Sequence, residues 1–322
     1  MEQAEQEINL VSICIPCYNA ALFLRETLNC LLNQSYQMLE IIIIDDNSTD
    51  SSIPIIEEYA LRDGRVRFET AKSKGAAAAR NQAYQLSKGK YVTFFDADDW
   101  IPENFIATQL QALSSDHEVV VAKWGRFYQD DLATIKEDPI QIRMDLTFEE
   151  WIKHYWLNNT HMTCPGRVLM PRILIEQSGL WDEDLSLNDD FIFYTRIFSN
   201  SGLIRFNDVS LFFYRSGVNG LSSKKGDHHY RSLYKSITRA IVVAQAKLKE
   251  SKEINNCYAN LLQSLIYEVY PLEPKIIKEA EKCIKALGGS NFKYQGGRKT
   301  KFLNFLFGWK LTTKLKMALS NT

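Results

Sequence analysis

The chain lacks the features that would put it in a special class. No apolar stretch in its 322 residues approaches the ~20 residues that a membrane span needs. The opening MEQAEQEINL is acidic and polar, and is not expected to be a secretory signal. Six cysteines (Cys14, Cys17, Cys30, Cys164, Cys257 and Cys283) are too few and too scattered for a disulfide scaffold. They suit a reducing compartment, so a cytoplasmic location is expected. There is no internal repeat and no low-complexity tract. Charge of neither sign dominates: the net charge is −1, with hydrophobic residues at 45% and charged residues at 24%, ordinary for a globular protein of roughly two domains. That balance is uneven, however. Residues 293–322 carry seven basic residues and no acid, leaving −8 on residues 1–292. A mildly acidic body with a basic tail does not resemble a nucleic-acid binder built around a basic face.

What is there is a regular alternation. Leu10–Pro16 (LVSICIP), Leu39–Ile44, Val66–Glu69, Lys90–Phe95 and Glu118–Ala122 read as strands. Between them, 21–34, Ser51–Leu61, Ala76–Leu86 and Glu103–Leu113 read as helices, the first with Leu24, Leu28, Leu31 and Leu32 at i, i+4, i+7 and i+8. Strands separated by helical segments of roughly 10–15 residues predict βαβ units. The expected fold class is α/β, a mainly parallel twisted sheet flanked by helices, Rossmann-like. After residue 124 the pattern loosens: Phe148–Leu157 and Asp190–Ser199 look helical, and Arg167–Met170, Leu203–Phe206 and Ser210–Tyr214 look extended. From Tyr230 onward the chain reads as a helical extension, with helices near 230–251, 253–269 and 274–287. A glycine-containing linker (288–297) and an amphipathic segment, Lys301–Leu319, follow.

The unusual polar residues cluster at the carboxyl ends of predicted parallel strands, where open α/β sheets bind ligands. Strand one ends in Pro16-Cys17-Tyr18-Asn19, strand two in Asp45-Asp46-Asn47-Ser48, and strand four in Asp96-Ala97-Asp98-Asp99. Three carboxylates in four residues repel one another unless solvated or neutralised. Such oxygen ligands suit Mg²⁺ or Mn²⁺ bridging to a diphosphate. A solvated turn at a helix start would account for them as well. Ser48 or Asp50 is expected to cap the next helix, leaving Asp45 and Asp46 free, one of them to accept from a base N–H. Arg80, in the alanine-rich stretch GAAAARN, is either a surface cation or a contact to ribose or diphosphate. Cys14-Ile15-Pro16-Cys17 has thioredoxin spacing, but Cys14 falls inside the apolar strand; both cysteines read as small residues at a strand end. Asp189-Asp190 opens an apolar helix. Asp190 looks like its N-cap, and a carboxylate beside Trp181 and Phe191 would be partly desolvated and more basic.

Taken together, VSICIPCYNA, LEIIIIDDNSTD, KGAAAARNQA, KGKYVTFFDADDW, SGLWDEDLSLNDDFIFYTRI and LFFYRSGVNGLS resemble the family-2 glycosyltransferases of the GT-A fold over about residues 10–222. The resemblance implies that Pro16, Tyr18 and Asp46 line the nucleotide base, and that Arg80 approaches the ribose and diphosphate. It implies Asp96 toward ribose and Asp98 on a Mg²⁺ or Mn²⁺ ion, with Asp99 able to share the metal. It places Asp190 as catalytic base, and Trp181 and Asp189 on the acceptor side. It further implies a GT-A domain over 1–225 (nucleotide-binding 8–123, acceptor-side 124–225), with the helical region 226–322 outside it. Many relatives carry a His shortly after the Tyr-Arg pair; here Tyr214-Arg215 is followed by Ser216-Gly217-Val218-Asn219.

The expected activity is inverting, metal-dependent transfer of a sugar, from a UDP-sugar by expectation, to a hydroxyl of a saccharide or lipid-linked acceptor in polysaccharide or glycoconjugate synthesis. A sugar-phosphate nucleotidyltransferase would need a Gly-rich loop after strand one, which Cys17-Tyr18-Asn19-Ala20 is not. A haloacid-type phosphatase would carry its DxD after the first strand. A non-catalytic nucleotide-sugar-binding protein would lack the base that Asp190 supplies. In the tail over 298–319, Phe302, Phe305, Leu306 and Trp309 follow helical spacing on one side, with Lys310, Lys314 and Lys316 nearby. Three readings stand for it: a helix packed on the protein, a partner-binding helix, or peripheral contact with the inner face of a membrane.

Overall fold

The computed structural model describes residues 9–160, 164–217 and 226–320; the opening residues 1–8, and Val218 and Asn219 after the Tyr-Arg pair, lie outside them. The chain divides into two compact units, Met1–Phe148 with Met162–Ser223, and Glu149–His161 with Lys224–Thr322.

The first unit holds β1 (Val11–Cys17), α1 (Leu24–Leu32), β2 (Leu39–Asp45), α2 (Ser52–Arg62), β3 (Val66–Thr70), α3 (Ala76–Leu86), β4 (Tyr91–Phe94), α4 (Phe105–Ala112), β5 (Glu118–Tyr128) and β6 (Asp131–Glu137). It continues, after α5 (Phe148–Tyr155), with β7 (Val168–Pro171), α6 (Arg172–Ser178), α7 (Asp189–Asn200) and β8 (Leu203–Ser216). Among the described residues the sheet has eight strands in the order β3-β2-β1-β4-β7-β5-β6, with β8 beside β5. β1 is parallel to β2 and β4, and Val11 stands opposite both Leu39 and Tyr91, so these strands run in step. The short β7 runs antiparallel between β4 and β5, making the sheet mixed rather than parallel throughout. All seven residues of β2 are buried, the signature of a strand covered on both faces. Cys14 and Cys17 are buried free thiols within β1, as expected of small strand residues.

Beyond β4 the outcome differs from the sequence reading. The two short strands expected near 203–206 and 210–214 are one strand, β8, whose pairing with β5 slips between Ala122 and Lys123. β5 runs on to Tyr128 and turns into β6 through Gln129 and Asp130, both at positive φ. A polar turn of this kind has no strong sequence signal, because neither residue is glycine.

The second unit contains α8 (Asp227–Lys247), α9 (Lys252–Val269), α10 (Pro274–Ala286) and α11 (Arg298–Ser320). α9 buries Leu261, Leu262, Leu265, Ile266 and Val269. Its N-terminus is capped by Ser251, whose hydroxyl accepts from the Ile254 N–H at 3.2 Å. Residues 149–161, expected with the acceptor-side part of the first domain, group instead with these helices. The Asn260 amide donates to the Leu157 carbonyl at 2.7 Å, and Lys153 pairs with Glu253 at 2.9 Å. α11 is broken at Gly308, whose φ of 72° interrupts the helix.

Candidate active site

Three parallel strands deliver their ends to one edge. The Asp46 N–H donates to the Cys17 carbonyl at 2.7 Å, and the Phe95 N–H to the Cys14 carbonyl at 2.9 Å. The segments after β1, β2 and β4 therefore emerge side by side. The loops after β1 and β2 are tied together: the Asn19 N–H donates to Ser48 Oγ at 2.9 Å and the Thr49 N–H to Asn19 Oδ1 at 2.7 Å. Tyr18, expected against the base, stands on the rim next to Pro16-Cys17 and is 58% exposed.

Asp45 does not stay free, as the sequence reading expected. It is buried and accepts from the Ser48 N–H at 2.9 Å, shaping the turn. Asp46 is the acid that remains at the edge. Its Oδ2 accepts from the Gly75 N–H at 2.9 Å, while its Oδ1 is buried with no hydrogen-bond partner among the described residues. Gly75 sits at φ +111°, a conformation strained for any side chain, and from there starts α3. The small Ala77, Ala78, Ala79 and Ala83 are buried, which lets this helix lie close to the sheet and aims Arg80 at the strand ends.

Arg80 is not a surface cation. It is buried, donates to Asp96 Oδ1 at 2.8 Å and to Asp189 Oδ2 at 3.1 Å, and lies 4.5 Å from the centre of the Trp181 ring. Burial works against its charge, but the two carboxylates more than compensate and hold its pKa above the ordinary value. Trp181, expected on the acceptor side, is packed inward. It stacks on Phe193 at 4.2 Å and meets Phe94 edge-on at 5.1 Å, because an indole this large is better buried than wet. It supports Arg80 rather than facing an acceptor. Asn81, which the sequence reading passed over, fixes it: the Asn81 side chain accepts from the Trp181 N–H at 2.9 Å and donates to its carbonyl at 3.0 Å.

Behind the carboxylate turn lies a second arginine missed from sequence. Arg215 is buried and pairs with Glu26 at 2.5 Å and with Asp130; its Nε donates to the Asp98 carbonyl at 2.7 Å. Its backbone N–H donates to Asp99 Oδ1 at 3.0 Å. A lone cation at the end of the apolar run LFFYR was the available signal. Burial and then Asp96 push the Asp98 carboxyl up to about 6, against the pull of Arg215. Burial and Asp98 raise Asp99 further.

The acidic pair opens α7. Asp190 is not its N-cap: the helix starts at Asp189, after Asn188 in the left-handed conformation, and Asp190 lies in the first turn with its Oδ1 accepting from the Phe191 N–H at 2.9 Å. Burial, then Asp189, pushes Asp190 up to about 7, with Arg80 pulling the other way. Burial likewise raises Asp189. A carboxylate poised near neutrality beside the strand ends is suited to accept a proton.

Among the described residues no group of three or more His, Cys, Asp or Glu side chains converges on a metal-sized site. The turn nevertheless fits a hard cation. Its donors are carboxylate oxygens, the burial and Asp96 charge that raise Asp98 are a strain that a bound cation would relieve, and Asp99 Oδ2 is buried without a partner among the described residues. Asp99 is anchored through its other oxygen to the Arg215 N–H and Asp96 is held by Arg80, which leaves the half-buried Asp98 as the third carboxylate of the turn.

A family model described as glycosyl transferase family 2 matches residues 12–179, just over half of the chain. The chain belongs to glycosyl transferase family 2. Among family members, it is 38% identical over 124 residues to glycosyltransferase GlyG of Streptococcus pneumoniae, covering 38% of this chain and 41% of that one. It is 35% identical over 111 residues to the chondroitin synthase of Escherichia coli, covering 34% and 16%. The chain thus spans less than half the length of these relatives. The fold is GT-A. S. aureus TarS 1–349, solved with UDP-GlcNAc, superposes with a TM-score of 0.68 at 19% identity, covering 86% of this chain and 81% of that one. The mannosyltransferase PcManGT of Pyrobaculum calidifontis, solved with GDP-Man and Mn²⁺, superposes at 0.54 and 17% identity, covering 96% and 80%.

Proposed function

We propose that this family-2 member transfers a sugar, with inversion, from a nucleotide-sugar donor to a hydroxyl of a saccharide or lipid-linked acceptor. The observation that carries the reading is Asp190, raised to about 7 beside Asp189 and Arg80, close to the edge where Asp46, Asp96 and Asp98 emerge. UDP-GlcNAc in TarS supports a UDP-sugar as donor. Similarity to a chondroitin synthase supports a polysaccharide or glycoconjugate as product.

In this reading Pro16, Tyr18 and Asp46 line the base and Asp96 faces the ribose, within the nucleotide-binding part 8–123. Arg80 serves the donor indirectly, by holding Asp96 and Asp189 in place. Asp98 would hold Mg²⁺ or Mn²⁺, as the Mn²⁺ in PcManGT supports; bound there with the diphosphate, the cation would offset charge on the leaving group. Asp190 removes the acceptor hydroxyl proton as that oxygen forms its bond to the anomeric carbon. The bond from carbon to diphosphate breaks on the opposite face, and the electron pair leaves with the nucleotide diphosphate. Asp189 lies beside Asp190, where its charge can favour an oxocarbenium-like transition state. A cytoplasmic location, peripheral on the inner face of a membrane through the tail, completes the reading.

The test is a thermal-shift series with UDP, GDP and other nucleotide diphosphates, with and without Mn²⁺, followed by turnover of the matching sugar donor. A ligand that binds the native state raises the melting temperature. Stabilisation by one diphosphate and acceptor-dependent release of it are expected; no response to any of them would overturn the reading.

A further inference from the structure

α11 is inside out. In an ordinary surface helix the apolar side packs on the protein and the polar side meets water. Here Thr300, Thr312 and Thr313 are the buried residues among those described, while Phe302, Phe305, Leu306, Phe307, Leu311, Leu315 and Leu319 are exposed, Phe305 by 86% and Leu319 by 76%. The orientation is held from within the helical unit. Trp309, expected on the exposed apolar side, packs its ring against Tyr267 and Tyr270 at 4.8 and 5.0 Å and stacks on Tyr294. The Thr313 hydroxyl bonds the Tyr294 hydroxyl at 3.1 Å. The break at Gly308 lets Trp309 turn inward although Phe302, Phe305 and Leu306 face out. With the indole locked into that cluster, the helix is not free to roll its leucines onto the protein.

The outward face has a pattern. Leu311, Leu315 and Leu319 recur at i, i+4 and i+8 and form one stripe. Lys310 and Lys314 form the neighbouring row, and Lys301 and Lys316 are exposed as well; Lys310 pairs with Glu281 at 3.5 Å and Lys316 lies over the Tyr294 ring at 5.9 Å. Residues 293–322 contain no acid. No helix among the described residues is long and apolar enough to cross a membrane.

We propose that α11 is a docking helix that lies in the plane of an anionic phospholipid surface, with Phe302, Phe305 and the leucine stripe in the acyl boundary and the lysines at the headgroups. Phenylalanine and leucine beside lysine are the composition of such helices, and the exposed lysines, of which Lys310 meets Glu281, carry an excess of positive charge that selects acidic headgroups. A second copy of the chain fits poorly, because pairing two such faces would bring two sets of lysines together with only Glu281, beside Lys310, to offset them. The inference deepens the reading above, resting on it only for where a lipid-linked acceptor would be met; binding to the surface itself needs no catalysis.

The experiment is flotation of the full chain with vesicles of phosphatidylcholine alone and of phosphatidylcholine with phosphatidylglycerol, at low and high salt. Flotation only with the anionic vesicles, weakened by salt, is expected. Leu311→Glu with Leu315→Glu and Leu319→Glu should lower vesicle partition by about tenfold or more, and so should Lys301→Glu with Lys314→Glu. All five side chains are exposed, so an unchanged circular-dichroism melt should accompany both variants. The proposal is overturned if the wild type fails to float with anionic vesicles or if both variants float like it. It is also overturned if the wild type self-associates without lipid and the leucine variant does not, which would assign the stripe to a second copy. Transfer to a soluble saccharide acceptor should be unaffected in both variants. Flotation without any such transfer would count against the catalytic reading alone.

Discussion

Arg80 donates to Asp189 at 3.1 Å across 109 residues of chain, and the same guanidinium holds Asp96 at 2.8 Å. One cation therefore joins the carboxylate turn after β4 to the acidic pair that opens α7. The arrangement shapes the charge state of the site, because Arg80, ahead of the backbone N–H groups, lowers Asp189 and Asp190 against burial.

Arg80→Met should move the pH dependence of transfer. Asp190 must be deprotonated to act, so kcat/KM should rise with pH through about 7 in the wild type. Removing the charge that pulls Asp190 down leaves only the Phe191 N–H opposing burial and Asp189, so the rising limb should shift to higher pH. A pH–rate series on both proteins with saturating metal checks this; coincident profiles would count against the coupling.

Asp190→Asn should retain fold and nucleotide affinity while losing turnover by about 10²–10⁴-fold, the usual range for loss of a general base. The asparagine oxygen can still accept from the Phe191 N–H, so the start of α7 is preserved. Steady-state kinetics beside calorimetric titration of the nucleotide diphosphate separates the two effects.

Asp98→Ala should abolish the Mn²⁺-dependent part of nucleotide-diphosphate binding and leave the metal-free part nearly intact. The substitution also removes a carboxylate that is raised by burial and by its neighbour Asp96, so the melting temperature without metal should not fall. Thermal shifts with and without Mn²⁺ read both. Wild-type metal dependence in the variant would remove Asp98 from the metal site.

Arg215→Met should destabilise the first unit by about 2–4 kcal/mol, discounted from the ~3–5 kcal/mol of a fully buried ion pair because Glu26 and Asp130 keep some solvent. It also frees the Asp98 carbonyl from its donor. Urea unfolding gives the stability, and binding of UDP with Mn²⁺ reports the turn. A loss below about 0.5 kcal/mol, the scatter of ordinary surface changes, would mean that the pairs contribute nothing.

Much of this was legible along the chain. The βαβ alternation through β4, the placement of Asp46, Asp96 and Asp98 at strand ends, and the family all follow from local patterns, because a strand buried on both faces reads as a continuous apolar run and its ends read as polar breaks. LEIIIID is buried throughout for that reason. Beyond β4 the pattern weakens. β5 and β8 alternate irregularly, and β6 is half exposed, so their lengths and pairing carry little periodic signal.

Spacing along the chain decides which residues stand at the ends of strands and helices, since periodicity and turn chemistry act over a few residues. It does not decide which of those residues meet. The pairing of Arg80 with Asp189, the inward turn of Trp181, the anchoring of Asp99 by Arg215 and the outward leucines of α11 all depend on contacts between segments far apart in sequence. Only tertiary packing settles them: a guanidinium or an indole has several positions of similar local energy, and the partner that removes it from water selects one.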